Sequence, residues 1–242
     1  MKIAILADIH GNRFALDEVY KDIEKCQCDK ILVLGDLVGY YYEPSYVVDK
    51  IKNDKRCIVI KGNHEDLLFK AINDESFANR CHQKYGSGIN VAIEMLSNDQ
   101  LSWLKELPES MGIELDGLKI GLHHGSEKHI NEYIYPDSSV KRLKKVDTKN
   151  DYLFFGHTHY PVIFPGSDAV IINPGSVGQP RDIGSLASYA IFNTTNTSIV
   201  FRRIPFLSES LIEQSKIKDP HYPYLSDILE RNNPYAKNYK SI

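Results

Sequence analysis

Three short apolar runs open the chain, residues 2–7 (KIAILA), 30–34 (KILVL) and 57–61 (CIVIK), spaced widely enough for a helix between each pair. Between the first two, Phe14, Leu16, Val19, Tyr20 and Ile23 carry helix-like spacing. Strand, helix, strand, helix, strand predicts a parallel sheet. Each run ends in a polar cluster: Asp8-Ile9-His10-Gly11-Asn12, Gly35-Asp36, and Gly62-Asn63-His64-Glu65. The carboxyl ends of parallel strands open onto one crevice, so these clusters are expected to converge.

The middle, about residues 64–107, reads as helical, with Leu67, Leu68, Ala71, Val91, Ile93, Met95, Leu96, Trp103 and Leu104 as core positions. From residue 111 strands return as MGIEL, LKIGLHH, DYLFFGHTH, PVIFP, AVIINPG, SYAIFN and SIVFRRI. Tight turns such as Asp116-Gly117 predict antiparallel hairpins in a second sheet. Two sheets packed face to face with helices outside would bury both apolar faces. Residues 1–205 form this α/β domain, and 206–242 read as a helical and extended appendage that packs on it or contacts a second subunit of a homo-oligomer.

Composition narrows the function. At 242 residues with 25% charged side chains, the chain is sized for one substantial core. The net charge of −3 provides no general field for a long polyanion, which argues against bulk nucleic-acid binding. Cys26, Cys28, Cys57 and Cys81 fit neither a disulfide framework nor a zinc-thiolate site. The first apolar run is broken by Asp8, too short for a signal peptide or a membrane span, so a cytoplasmic location is the default.

The candidate chemistry lies at the strand ends. Asp8 and His10 are two apart, and in an extended segment they project to one side. His157 and His159 repeat that spacing in Gly156-His157-Thr158-His159; His124 ends another apolar run before Gly125. With Asp36, able to bridge two cations, and Asn63, a neutral oxygen donor, these seven oxygen and nitrogen groups suit Mn²⁺, Fe, Zn²⁺ or Ni²⁺ rather than Ca²⁺. Two such ions clamp a phosphate and lower the pKa of a water. His64, next to a ligand position, is placed to act as general acid. A D-x-H pattern alone is common, and a lone histidine is usually core; the weight comes from recurrence at five predicted strand ends beside glycines.

These motifs, D-x-H at Asp8–His10, G-D at Gly35-Asp36, G-N-H-E at Gly62–Glu65, H-G at His124-Gly125 and G-H-T-H at Gly156–His159, resemble the calcineurin-like metallophosphoesterase superfamily over about residues 1–205. LHHGSEKHINEYIY and INPGSVGQPRD are similar to its small prokaryotic phosphodiesterase and diadenosine-tetraphosphatase-like branch. The resemblance implies a four-layer α/β/β/α sandwich of two mixed sheets flanked by helices. It implies that Asp8, His10, Asp36 and His159 surround one ion, and Asp36, Asn63, His124 and His157 the other. His64 then assists as a metal-bound hydroxide attacks phosphorus, with Asn12 and Arg181 near the substrate. His124, directly before the glycine, is the implied ligand, and His123 faces the opposite way.

The chain departs from that pattern in two places. LVGYYYEP has Tyr41-Tyr42 where the branch has Gly-Pro, which predicts a bulkier aromatic rim. Gly39 stands where the Ser/Thr phosphatases of the family carry an acid beside the catalytic histidine, leaving Glu65 as the nearest acid for that part. The expected activity is hydrolysis of a small nucleotide-like phosphodiester or phosphomonoester. A nuclease using the run Lys141-Arg142-Leu143-Lys144-Lys145 is the alternative; a catalytically inert protein-binding scaffold conflicts with the complete ligand set.

Overall fold

The computed structural model describes residues 1–138, 149–166 and 168–232; the Lys141–Lys145 run and the end of the appendage lie outside them. The described chain is an α/β sandwich of two mixed five-stranded sheets. In the first sheet β1 (Lys2–Leu6), β2 (Lys30–Val33) and β3 (Cys57–Val59) are parallel, as the opening runs predict. The second comprises β4 (Ser110–Leu115), β5 (Leu118–His123), β6 (Tyr152–Phe154), β7 (Pro161–Pro165) and β8 (Val170–Pro174), in the order β4-β5-β6-β8-β7. Asp116 and Gly117, both at positive φ (51° and 78°), turn β4 back along β5 as an antiparallel hairpin.

One expectation is corrected. The last two strands, β9 (Leu186–Asn193) and β10 (Ser198–Pro205), join the first sheet, not the second, giving the order β10-β9-β1-β2-β3. β2 covers one edge of β1, and β9 pairs antiparallel with the other from Lys2↔Asn193 to Ile5↔Ala190. That burial lets Ala190 and Phe192 fill the space between the sheets.

Alternation sorts the side chains into layers. Ile3, Ile5 and Ala7 meet Ile120, Leu122, Phe154 and Ile172 between the sheets. Ala4 and Leu6 point the other way, onto helices α1 (Arg13–Cys26) and α2 (Pro44–Asn53) and the group α3 (Asn63–Asn73), α4 (Glu75–Tyr85), α5 (Gly88–Met95) and α6 (Asn98–Glu106). On the far face of the second sheet Leu153, Phe155 and Ile171 pack with Ile134. After Pro205, α7 (Glu209–Lys218) and α8 (Tyr224–Glu230) send Leu211, Leu225, Ile228 and Leu229 into the helix-side core. Among the described residues no helix is long and apolar enough to cross a membrane.

Local chemistry sets the helix starts that matter for the site. Asn12 caps α1, its Oδ1 accepting from Ala15 N at 3.1 Å. α3 begins directly at Asn63, and the Glu65 carboxylate accepts from Gly62 N at 2.7 Å. The change from strand to helix within Lys61–Asn63 therefore delivers Asn63 and His64 to the strand ends.

Candidate metal centre

All seven candidate ligands converge where β1, β2, β3, β5 and β6 end, and each is buried. His159 Nε2 lies 3.3 Å from Asp8 Oδ1 and 3.1 Å from His10 Nε2. His10 Nε2 is 3.7 Å from Asp36 Oδ2, which in turn is 3.3 Å from His124 Nε2. His124 Nε2 is 2.9 Å from Asn63 Oδ1, and donor atoms of Asp36, His124 and His157 all lie within 4.8 Å of one another. Asp36 thus stands between two donor groups drawn from both sheets.

The route to this convergence differs from the extended segment expected for D-x-H. β1 stops at Leu6, and Asp8 (φ 55°), His10 (φ 51°), Asp36 (φ 55°), His157 (φ 67°) and His159 (φ 63°) all adopt left-handed backbone. Such residues cost about 1–3 kcal/mol each and persist only where surroundings over-determine them. Here the loops are laced together: Ile9 N and His10 N donate to Asp36 O (both 2.9 Å), His157 N to Asp8 Oδ2 (3.0 Å), and Ser176 Oγ to Asp8 O (2.7 Å).

The hydrogen bonds fix which ring nitrogens are free. His10 Nδ1 faces Val38 O at 3.0 Å, His159 Nδ1 faces Gln179 O at 2.7 Å, and His124 Nδ1 faces Leu34 O at 2.7 Å. A carbonyl oxygen only accepts, so each Nδ1 carries the proton. Burial holds both His10 and His159 well below the usual imidazole range, so both rings are neutral and their Nε2 atoms are bare lone pairs. Two lone pairs 3.1 Å apart beside a carboxylate repel unless a cation lies among them. His157 Nε2 is likewise buried without a hydrogen-bond partner, and burial lowers that ring to about 2. The donors present therefore fit metal ions, with the carbonyls behind them orienting the rings.

The carboxylates give the same reading. Burial, with Asp36 nearby, pushes Asp8 up to about 6, despite the opposing pull of His124. Burial also works against ionised Asp36, but His124 and His64 hold it well below the usual range. Burial opposes charge on His124 too, yet the Asp36 carboxylate, its hydrogen bond and Asp8 raise that imidazole to about 10. The pocket is short of positive charge, the condition a divalent cation relieves.

His64 sits in an aromatic cage, its ring 4.7 Å from His10, 4.9 Å from Tyr40 and 5.3 Å from Tyr85. Burial lowers its pKa, and Nδ1 is buried without a partner. Gly39 (φ 88°) lies directly against that nitrogen, where a Cβ would overlap it. Glu65 does not fill the acid's place beside His64. Its carboxylate accepts from Asp36 N (2.9 Å), Leu37 N (2.8 Å), Val38 N (3.3 Å) and Gly62 N (2.7 Å), tying the β2 loop to α3. Four donors in reach make it a brace for the loop that carries Asp36.

Two other sequence expectations shift. Asn12 is 0% exposed, with Nδ2 donating to Gly178 O at 2.7 Å while Oδ1 caps α1; both ends of the side chain serve the scaffold. Tyr41 and Tyr42 point away from the cluster and donate to Leu225 O (3.1 Å) and Asp219 Oδ2 (2.8 Å), so they hold the appendage. The aromatic rim comes instead from Tyr40, Tyr85 and Tyr133, whose ring is 4.1 Å from His157; Tyr40 opens the same three-tyrosine run and Tyr133 lies in INEYIY, while Tyr85 carries no motif. Arg181 does approach the cluster, with Nη2 3.4 Å from Tyr40 Oη and Nε buried without a partner. His123 lies on the opposite side of β5, against Phe155 at 5.8 Å.

Residues 1–197 match the calcineurin-like phosphoesterase superfamily domain. An uncharacterised protein of Methanocaldococcus jannaschii is 33% identical over 222 residues, 84% of this chain and 87% of that one. The phosphodiesterase YfcE of Escherichia coli is 22% identical, over 83% of this chain and 91% of its own length. The crystal structure of a metallophosphoesterase from Sphaerobacter thermophilus superimposes with a TM-score of 0.74 at 29% identity, covering 90% of this chain and 94% of that one. On this evidence the chain belongs to the calcineurin-like phosphoesterase superfamily.

Proposed function

We propose that this metal-dependent phosphoesterase hydrolyses a small phosphodiester or phosphomonoester of nucleotide-like size, using two divalent cations that share Asp36. The observation that carries the reading is the meeting of two imidazoles from different loops at one carboxylate, with His10 Nε2 and His124 Nε2 at 3.7 and 3.3 Å from Asp36 Oδ2. Asp8, His10, Asp36 and His159 would hold one ion; Asp36, Asn63, His124 and His157 would hold the other. Mn²⁺ is the preferred candidate, with Fe, Zn²⁺ and Ni²⁺ compatible with the same oxygen and nitrogen donors. When bound, such a pair neutralises phosphate oxygens and lowers the pKa of a water.

The protein supplies the remaining steps. His64, its Nδ1 turned to Gly39, offers Nε2 to a phosphoryl oxygen or to the leaving oxygen. Burial keeps its ring neutral near pH 7, so the donated hydrogen is that of a neutral imidazole. Arg181 is permanently charged and faces an anionic phosphoryl group without competition for its Nε.

The test is turnover of bis-p-nitrophenyl phosphate and p-nitrophenyl phosphate by the metal-stripped chain reloaded with Mn²⁺, Ni²⁺, Co²⁺, Fe²⁺ or Zn²⁺. Hydrolysis that chelator abolishes and metal restores is expected. Silence toward both esters with every metal would refute the reading. The basic run on which the nuclease alternative rests, Lys141–Lys145, lies outside the described residues.

A further inference from the structure

The appendage builds a cavity beside the aromatic cage of His64. This half-open cavity has a volume of about 320 Å³, and Tyr40, Lys84, Tyr85, His221, Tyr222 and Tyr224 are among the residues that line it. Tyr40 and Tyr85 serve two surroundings at once, because the same rings flank His64 at 4.9 and 5.3 Å. The opposite wall, His221–Leu225, lies beyond the residues matched by the superfamily domain, which end at 197.

That wall is held firmly. Tyr41 Oη donates to Leu225 O at 3.1 Å, and the buried Asp219 accepts from Tyr42 Oη at 2.8 Å and from Ser87 N at 2.8 Å. Tyr222 is seated by its N–H to Asp219 O at 2.9 Å and by the His82 ring at 5.6 Å. Arg181 borders the same corner: its guanidinium touches Tyr40 Oη, its backbone oxygen accepts from Arg231 Nη1 at 2.6 Å, and its Nε has no partner.

We infer that this cavity is the subsite for the part of the substrate that carries no reacting phosphorus, and that it selects a flat aromatic group. Tyrosine faces stack on planar rings with little sequence or substituent preference. The volume suits one heteroaromatic ring system with a sugar-sized arm, within the range of small-ligand pockets. Lys84 and Arg181 add positive charge for a phosphoryl group joined to that ring. The inference rests on the phosphoesterase reading above but is tested by binding rather than turnover.

The probes are adenosine 5′-monophosphate and ribose 5-phosphate, which share sugar and phosphate and differ by the aromatic base. Calorimetric titration of the full metal-free chain should show at least tenfold tighter binding of the nucleotide. Tyr222→Ala should bring the two ligands to within about twofold, and Tyr222→Phe, which keeps the ring, should preserve the preference. A second measurement needs no variant: photolabelling of the wild-type chain with 8-azidoadenosine 5′-monophosphate should modify peptides containing Tyr85 or Tyr222. Equal affinity for the two probes, a preference that survives Tyr222→Ala, or labelling elsewhere would overturn the assignment. Ester turnover by the same chain reloaded with metal separates the outcomes, since a chain that hydrolyses bis-p-nitrophenyl phosphate without preferring the nucleotide retains its activity and loses only this subsite.

Discussion

At the residue scale, the position of the His64 ring depends on the absence of a side chain at Gly39. No acid stands at Gly39; the histidine ring is flanked by Tyr40, Tyr85 and His10, and its buried Nδ1 lies against the glycine without a hydrogen-bond partner. His64→Ala should lower kcat by about 10²–10⁴ with the metal content of the protein unchanged, the usual scale for losing one acid–base group. Full activity in that variant would remove His64 from the chemistry. Gly39→Ala tests the seat rather than the group. Positive φ and the overlap with Nδ1 should displace the ring, so kcat falls at least tenfold while stability drops by about 1–3 kcal/mol. Wild-type kinetics in Gly39→Ala would mean that the ring position is not set by this contact.

Between elements, the brace is Glu65. Its carboxylate gathers four backbone N–H groups from the β2 loop and the start of α3, so Glu65→Ala leaves buried donors without partners. Each costs about 1–3 kcal/mol, and a loss of at least about 3 kcal/mol in urea unfolding is expected. A change below about 0.5 kcal/mol would contradict the role. Toward the opposite edge of the first sheet, Asp22 of α1 accepts from Arg202 Nε (2.9 Å) and Nη2 (2.7 Å) of β10 and from Tyr189 Oη (2.6 Å) of β9. The Arg202 hydrogen bonds hold Asp22 below the usual carboxylate pKa despite partial burial. Its contribution is therefore complete above the unfolded value of about 4 and disappears as pH falls through the lower folded value. Asp22→Asn should have a lower Tm than wild type at pH 7, with the gap closing below pH about 4; a gap that widened in acid would reverse the assignment. Much of this scale was legible in the letters: the runs at β1, β2 and β3 and the clusters after them mark the crevice, because apolar periodicity reports burial directly. Pairing partners are not written locally, which is why β9 and β10 were expected in the second sheet. Nor does spacing reveal backbone handedness, so Asp8 and His10 converge through left-handed turns instead of an extended segment, and Tyr41 and Tyr42 face the appendage instead of the rim.

At the scale of the whole molecule, two sheets bring five strand ends to one place, and the appendage closes over the helical side of it. The net charge of −3 leaves local features, the cations expected at Asp36 and the Arg181 guanidinium, to attract an anionic ester. Everything in the functional account depends on Asp36 serving two ions at once. The direct measurement is the number of Mn²⁺ ions bound per chain, by titration calorimetry on metal-stripped protein with elemental analysis as a check. Two ions for wild type, one retained in His157→Ala, and weakened binding of both in Asp36→Asn are the predicted results. A single ion in wild type, or two bound with undiminished affinity in Asp36→Asn, would contradict the shared carboxylate.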